Sequence, residues 1–190
     1  EKDSENFKDN LKIINNQIKQ IGNLVNEFSD FARMPKPTLR ENNLVNLLKE
    51  NVKLLKELDH SIEINLSSNL EKIILNSDKE QISRVFLNLI KNSIESIQQK
   101  AENDSNFIKK ITIELTENNG HIKLVIVDNG IGFGNLSKNI KEILNPYFTT
   151  KKNGTGLGLS IVNKIINDHN GKIEFIPKND GAQININFIK

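Results

Sequence analysis

Seven apolar residues, Phe7, Leu11, Ile14, Ile18, Ile21, Val25 and Phe28, recur at spacings of 4-3-4-3-4-3. That alternation lines one side of a helix and is the seam of a coiled coil. The positions between are chiefly Lys, Asn, Asp, Gln and Glu, so one face alone seeks burial. A helix of about 30 residues with such a stripe in water needs a partner to be stable. Self-association, or docking on the rest of the chain, is expected. The helix ends by Arg33-Met34, because Pro35 and Pro37 remove backbone donors and push the preceding residues out of helical space. Pro35-Lys36-Pro37 is therefore the natural boundary between a helical part and a second part of mixed structure.

Past that boundary the hydrophobic period switches repeatedly. Thr38 to Glu41 reads as extended, and Asn43 to Leu58 as a helix with Leu44, Leu47, Leu48, Val52 and Leu55 on one side. Ile62, Ile64 and Leu66 alternate as a strand, Lys72 to Leu75 is a second short one, and Asp78 is placed to cap the next helix. That helix runs to about Gln99, with Ile82, Val85, Phe86, Leu89, Ile90, Ile94 and Ile97 towards a core. After a polar loop, Ile111, Ile113 and Leu115 alternate, Asn118-Asn119-Gly120 reverses the chain, and Ile122 to Val127 returns as a hairpin. Residues 134–153 are polar and irregular, with room for a short helix. Leu159 to His169 is a helix stopped by Asn170-Gly171, and strands Lys172 to Ile176 and Ala182 to Ile189 close the chain. Helices gathered on one face of a mixed, mostly antiparallel sheet make an α+β fold, a two-layer α/β sandwich behind one long amphipathic helix.

Composition excludes several classes. The 26 basic and 24 acidic residues are scattered and nearly balanced, so no nucleic-acid partner is implied. With no cysteine, disulfides and thiolate metal sites are out. No apolar run approaches the roughly 20 residues of a bilayer span, and no signal peptide is visible. A cytoplasmic fragment without membrane contact, cut from a longer protein, is expected.

Three segments carry chemistry. Asp128 ends an apolar strand, where a carboxylate can accept a hydrogen bond from an amino group such as that of adenine. Gly130 and Gly132 behind it leave room for a flat ring. Taken alone, Asp-Asn-Gly is commonly a surface turn. Gly154, Gly156 and Gly158 come just before a helix, where exposed N–H groups and the positive dipole end favour phosphate. No strand precedes them and no Gly-Lys-Ser/Thr follows, so neither the dinucleotide fingerprint nor the P-loop fits. Thr149-Thr150-Lys151-Lys152 adds hydroxyls and ammonium groups nearby. Asn88 and Asn92, one helical turn apart on an otherwise apolar helix, want a cavity, and their amide oxygens suit Mg²⁺.

In order and spacing, Asn88-Leu-Ile-Lys-Asn92-Ser-Ile-Glu95, Asp128-Asn-Gly-Ile-Gly-Phe, Pro146-Tyr-Phe148-Thr-Thr-Lys151 and Gly154-Thr-Gly-Leu-Gly-Leu159 resemble the N box, first glycine box, F box and second glycine box of bacterial sensor histidine kinases. Gly181-Ala182 resembles the last box, and Val25 to Pro37 looks most like the NtrY type of nitrogen-regulation kinase. The resemblance implies the Bergerat (GHKL) ATP-binding fold over residues 37–190. It makes residues 1–36 the second helix of a dimerisation and phosphotransfer domain. By the same resemblance Asp128 would hold adenine, with Ile131 and Leu157 near the ring beside Gly130 and Gly132. Asn92 and Asn88 would hold Mg²⁺ and phosphate oxygens, with Glu95 in the same box. Lys151 and the backbone of Thr155, Gly156, Leu157, Gly158 and Leu159 would hold the phosphate tail. Residues 134–153 would form a mobile lid anchored by Phe148. Two departures stand out: Ser93 where a small Ala is usual, and Ala182-Gln183 with no Thr.

The family phosphorylates a histidine beside an acidic residue on a preceding helix. None of His60, His121 and His169 lies on the striped helix or precedes a carboxylate. All three read as structural or exposed, with His169 at a helix C-terminus where a cation suits the dipole. The chain is expected to begin downstream of the phosphoacceptor and to hold no catalytic residue of its own. It would bind ATP–Mg²⁺ without autophosphorylating. Within an inner-membrane-anchored parent it would act as a homodimer through helix 1–33, relaying phosphate to a response regulator. The alternatives are an ATPase of the same superfamily, which would need a Glu where Asn88 stands, and a nucleotide-independent dimerisation module.

Overall fold

A computed structural model of the chain describes residues 2–102, 104, 106–133, 140–151 and 154–190. Helix α1 spans Lys2–Ala32. Its seven seam residues are all exposed, Ile18 and Ile21 each at 61%. The seam does not dock on the rest of the chain. The apolar side chains of this segment that do pack against the core, Phe31 in the last turn and Met34 beyond it, are partly buried.

The body comprises, in chain order, β1 (Arg40–Asn43), α2 (Leu44–Leu58), β2 (Glu63–Ser68), β3 (Ile74–Ser77), α3 (Lys79–Ala101), β4 (Lys110–Asn118), β5 (His121–Asp128), α4 (Gly158–Asp168), β6 (Lys172–Pro177) and β7 (Ala182–Ile189), with a 3₁₀ turn at Ile140–Leu144 before α4. Strands β1 and β3 form their own antiparallel ribbon, Arg40 opposite Ser77. Both lie two residues later than the alternation places them, because periodicity marks a strand and not its register. The register is pinned by Asn43. Its Oδ1 caps α2 by accepting from the Val45 N–H at 3.1 Å and also takes the Ile73 N–H at 3.3 Å.

The main sheet runs β2-β4-β5-β7-β6, with β2 and β4 parallel and every other pair antiparallel. Asn119 and Gly120 take the left-handed conformations that a tight β4–β5 hairpin needs. Alternation then sorts the side chains. Ile122, Leu124 and Ile126 point to the helix-covered face, opposite Phe188, Ile186 and Ile184 of β7. Asp128 is the next residue in that inward series. The strand pattern that buries three aliphatic side chains therefore also buries a carboxylate.

The histidines are structural or exposed, as expected. His169 is buried rather than offered as a cation at the end of α4. Its Nε2 accepts the Asp78 N–H at 3.0 Å, and its Nδ1 lies 2.8 Å from the Ile165 carbonyl. An imidazole that accepts at one nitrogen and donates at the other is neutral. The ring ties the end of α4 to the start of α3. Of the other two, His60 and His121 are exposed. No described helix is long and apolar enough to cross a membrane.

Candidate functional site

Helix α3 is the spine of the site. Its capping Asp78 fixes where the helix begins, which fixes what each later residue faces. Asn88 Oδ1 lies near Gly158, the first residue of α4, 3.8 Å from where a Cβ there would stand. One turn on, Asn92 accepts from the Lys151 ammonium at 2.8 Å, and Glu95 forms an ion pair with the same ammonium. Ser93, beside them, donates to Asp128 Oδ2 at 3.1 Å. Ser96 Oγ accepts the Ile131 N–H at 3.1 Å and sits against Gly130, where a Cβ would collide with it. Eight residues of helix separate Asn88 from Ser96, about 12 Å along the axis. The two glycine segments are thus held at opposite ends of one helical face.

Asp128 is 5% exposed. Burial pushes its carboxyl above the usual range. The Gly130 and Ala182 N–H groups, the Ser93 hydroxyl and the Lys100 charge work in the other direction. Oδ1 accepts the Gly130 N–H at 3.0 Å and Oδ2 the Ser93 hydroxyl, and with the Ala182 N–H as a third donor the carboxylate still keeps acceptor capacity for an incoming N–H. Gly181, at φ +86°, crosses so close that a Cβ would run into the Asp128 carbonyl, while Gly132, at φ +66°, abuts the Gly181 carbonyl. These glycines let the last loop close over the end of β5.

Helix α4 begins without a side-chain cap and with no acid in its first turn. Its opening amides carry the partial positive charge of a helix N-terminus, with no side-chain cap bonded to them. The backbone of Gly156, at φ +70°, is locked against Tyr147, whose N–H donates to the Gly156 carbonyl at 3.1 Å. Phe148 beside it packs partly buried on the core. Leu157 is wholly buried in the core while Ile131 is about half exposed, so these two residues lie in different environments. Leu159 is partly buried against the core. Of the segment 134–153 expected to form a lid, residues 134–139, 152 and 153 lie outside the described residues.

Three contacts of the site have no local sequence signal. Ser93 reads as a mere departure from a small residue, yet it is bonded to the buried carboxylate. Lys100 donates to the Asn129 carbonyl at 3.0 Å, pairs with Asp180 and lies over the Phe107 ring. Thr155 donates to Glu27 of α1, joining the striped helix to the second glycine segment. Each links residues far apart in the chain, and only the fold brings them together.

The sequence pattern of the histidine kinase-, DNA gyrase B- and HSP90-like ATPase family matches residues 77–189. The chain is 33% identical over 188 residues to the NtrY-like sensor histidine kinase of Rickettsia felis, covering 98% of this chain and 30% of that protein. It is likewise 33% identical over 186 residues to the nitrogen regulation protein NtrY of Azorhizobium caulinodans, covering 97% of this chain and 24% of that protein. The chain thus spans less than a third of the length of either of these two relatives. Among solved structures, the nucleotide-free catalytic domain of histidine kinase ThkA superposes with a TM-score of 0.68 at 30% identity, over 80% of this chain and 95% of that one. ThkA in complex with the response regulator TrrA superposes with a TM-score of 0.73 at 25% identity, over 94% of this chain and 49% of that one. The chain belongs to the histidine kinase-, DNA gyrase B- and HSP90-like ATPase family, and its globular part is the ATP-binding catalytic domain of a sensor histidine kinase.

Proposed function

We infer that residues 37–190 bind ATP with its adenine on Asp128 and its phosphates at the start of α4. From there the γ-phosphoryl group is presented to a histidine on another helix. The observation that carries this reading is the buried carboxylate at the end of β5, with acceptor capacity left over and glycine backbone against it. A carboxylate accepts from the adenine amino group and repels the carbonyl that guanine carries at that position, so the base is selected by charge. The amides of Gly158 and Leu159 favour the anionic tail.

The residues present fit a Mg²⁺ ion. Asn92 and Glu95 already direct oxygen atoms at one cation, the Lys151 ammonium, and Asn88 faces the same helix start. Among the described residues no group of three acidic or imidazole side chains gathers, so an ion here would take most of its ligands from phosphate and water, as Mg²⁺ does. Asn92 and Asn88 would hold it, and its chemistry there would be to neutralise charge on the phosphate tail. Lys151 would pass from Glu95 to the phosphate tail.

Phosphoryl transfer is mostly positioning and charge neutralisation, and this site supplies both. Hydrolysis would need a base on a water. Asn88, where an ATPase of this superfamily would place that base, is an amide and cannot take a proton. Neither exposed histidine stands on α1, and His169 uses both ring nitrogens internally. The phosphoacceptor therefore comes from another segment. The seam of α1 is the surface on which a second copy of the chain would pair as part of a dimerisation bundle, and a response regulator would receive the phosphate. Two measurements test the reading. Calorimetry with ATP and magnesium should show binding that Asp128→Asn weakens about 30-fold or more, the loss of a hydrogen bond to a charged group. Labelled ATP should leave no acid-labile phosphate on this chain, and phosphohistidine recovered from it would refute the assignment.

A further inference from the structure

Strand β2 is an outer strand of the main sheet, and a groove of about 540 Å³ lies between it and α2. One wall carries Lys49, Lys53, Lys56 and His60, at spacings of 4-3-4 and all exposed. No ion pair holds any of these lysines among the described residues, and Glu57 is the one acid in the lining. The floor is apolar, made by Val52, Ile64 and Leu66. Register decides what the strand itself offers. Glu63 N–H donates to the Lys109 carbonyl at 2.9 Å and Asn69 N–H to the Leu115 carbonyl at 3.3 Å, so the odd-numbered residues turn their backbone towards β4. Ile64 and Leu66 therefore present N–H and C=O groups at the open edge, alongside the lysines.

We propose that this edge receives an extended acidic segment of a partner protein as an added strand. Its backbone pairs with Ile64 and Leu66, and its carboxylates lie on Lys49, Lys53 and Lys56. Lys49 and Lys56 are about 10 Å apart along the helix axis. Same-face residues of a strand recur about every 6.7 Å, so two or three acidic side chains match three flexible lysines. Lysines beside an open edge deter pairing with neutral or basic strands, and the same charges attract an acidic one. Backbone pairing supplies affinity and the charged rail supplies selection.

The probe is a short fluorescein-labelled peptide of alternating Glu and Val. Its anisotropy should rise on titration with the full chain, and binding should weaken about tenfold or more between low and high salt. The same peptide with Lys in place of Glu, or with alternate backbone nitrogens methylated, should not bind. The Lys49→Glu, Lys53→Glu, Lys56→Glu triple variant should lose binding at least tenfold while keeping its melting temperature and ATP affinity. Amide exchange at Ile64 and Leu66 should slow in the complex. Unchanged binding by the triple variant, or no slowing in β2, overturns the proposal. Binding to anionic phosphatidylserine vesicles without binding to the peptide overturns it too and assigns the lysines to a membrane surface.

Discussion

Helices α3 and α4 pack side by side, and their N-termini are finished in opposite ways. At the start of α3, Asp78 accepts the Gln81 N–H at 3.0 Å on one oxygen and the Thr38 N–H at 2.9 Å on the other, while its own N–H goes to His169. At the start of α4 no side chain plays this part. The Thr155 hydroxyl takes the Leu157 N–H at 3.3 Å, before the helix begins, and the first helical residue is a glycine. The chain closes one helix with its own carboxylate and leaves the other positive and open. Stability is concentrated at the first start, and the second is left for an anion from outside.

Moving a carboxylate to the open start is the most severe way to break this contrast. In Gly158→Asp the new Cβ meets only Asn88 Oδ1, at an ordinary 3.8 Å. A charge about 4 Å from a phosphate costs about 4 kcal/mol at a near-surface effective dielectric. ATP affinity should fall at least a hundredfold by calorimetry, while the free protein melts slightly higher, because the helix has gained its own anion. Normal ATP binding by this variant would mean that α4 does not seat the phosphates.

Asp78→Ala should do the reverse, removing about 1–2 kcal/mol of stability in denaturant titrations and leaving affinity within about twofold. Burial works against ionisation of Asp78, but the N–H groups of Gln81 and Thr38 outweigh it and hold the carboxyl below the usual range. With a folded value under the ordinary 3.8, its contribution is complete above that pH and fades as acid takes the pH down through the folded value. The variant should lack that acid-sensitive component in melts at low pH.

Asp128 has the opposite sign. Its carboxyl is raised, so the free fold loses stability as pH climbs from 3.8 through the folded value, and Asp128→Asn should flatten that slope. Adenine affinity needs the unprotonated oxygen and should decline on acidification at a pH above the ordinary carboxylate range. The smallest effect belongs to Ser93→Ala, which takes a hydroxyl donor from the ionised form. We expect a few-fold weaker binding at neutral pH and an upward move of the acid midpoint. A midpoint that stays put would reduce Ser93 to a packing residue.

The features open to sequence reading are local ones. The seam of α1, its end at the proline pair, the Asp78 cap, the β4–β5 turn and the Asn170-Gly171 stop are each written within a few residues, and each stands where expected. The glycine and asparagine segments are legible for the same reason, since backbone room and helical spacing are properties of short stretches. Partnership across distance is not legible in this way. Alternation at Ile74 and Leu75 cannot say that β3 pairs with β1, nor that β2 runs parallel to β4. A serine on α3 does not reveal that a strand 35 residues later brings a carboxylate to it. At His169, proximity to a helix end suggests a cation, whereas the donor that decides its charge lies 91 residues upstream. The exposed seam of α1 is the converse: the pattern demands a partner, and the chain's own body does not provide it.

The neutral ring of His169 also makes α4 a lever. The helix is about 16 Å long and runs from the second glycine segment to the ring bonded at the residue from which α3 springs. A tilt of about 5° at one end carries the other through more than 1 Å, enough to break or tighten a hydrogen bond. Because Asp78 also grips Thr38, just past the proline pair, the far end of α4, the start of α3 and the stretch that follows α1 are joined by one set of hydrogen bonds.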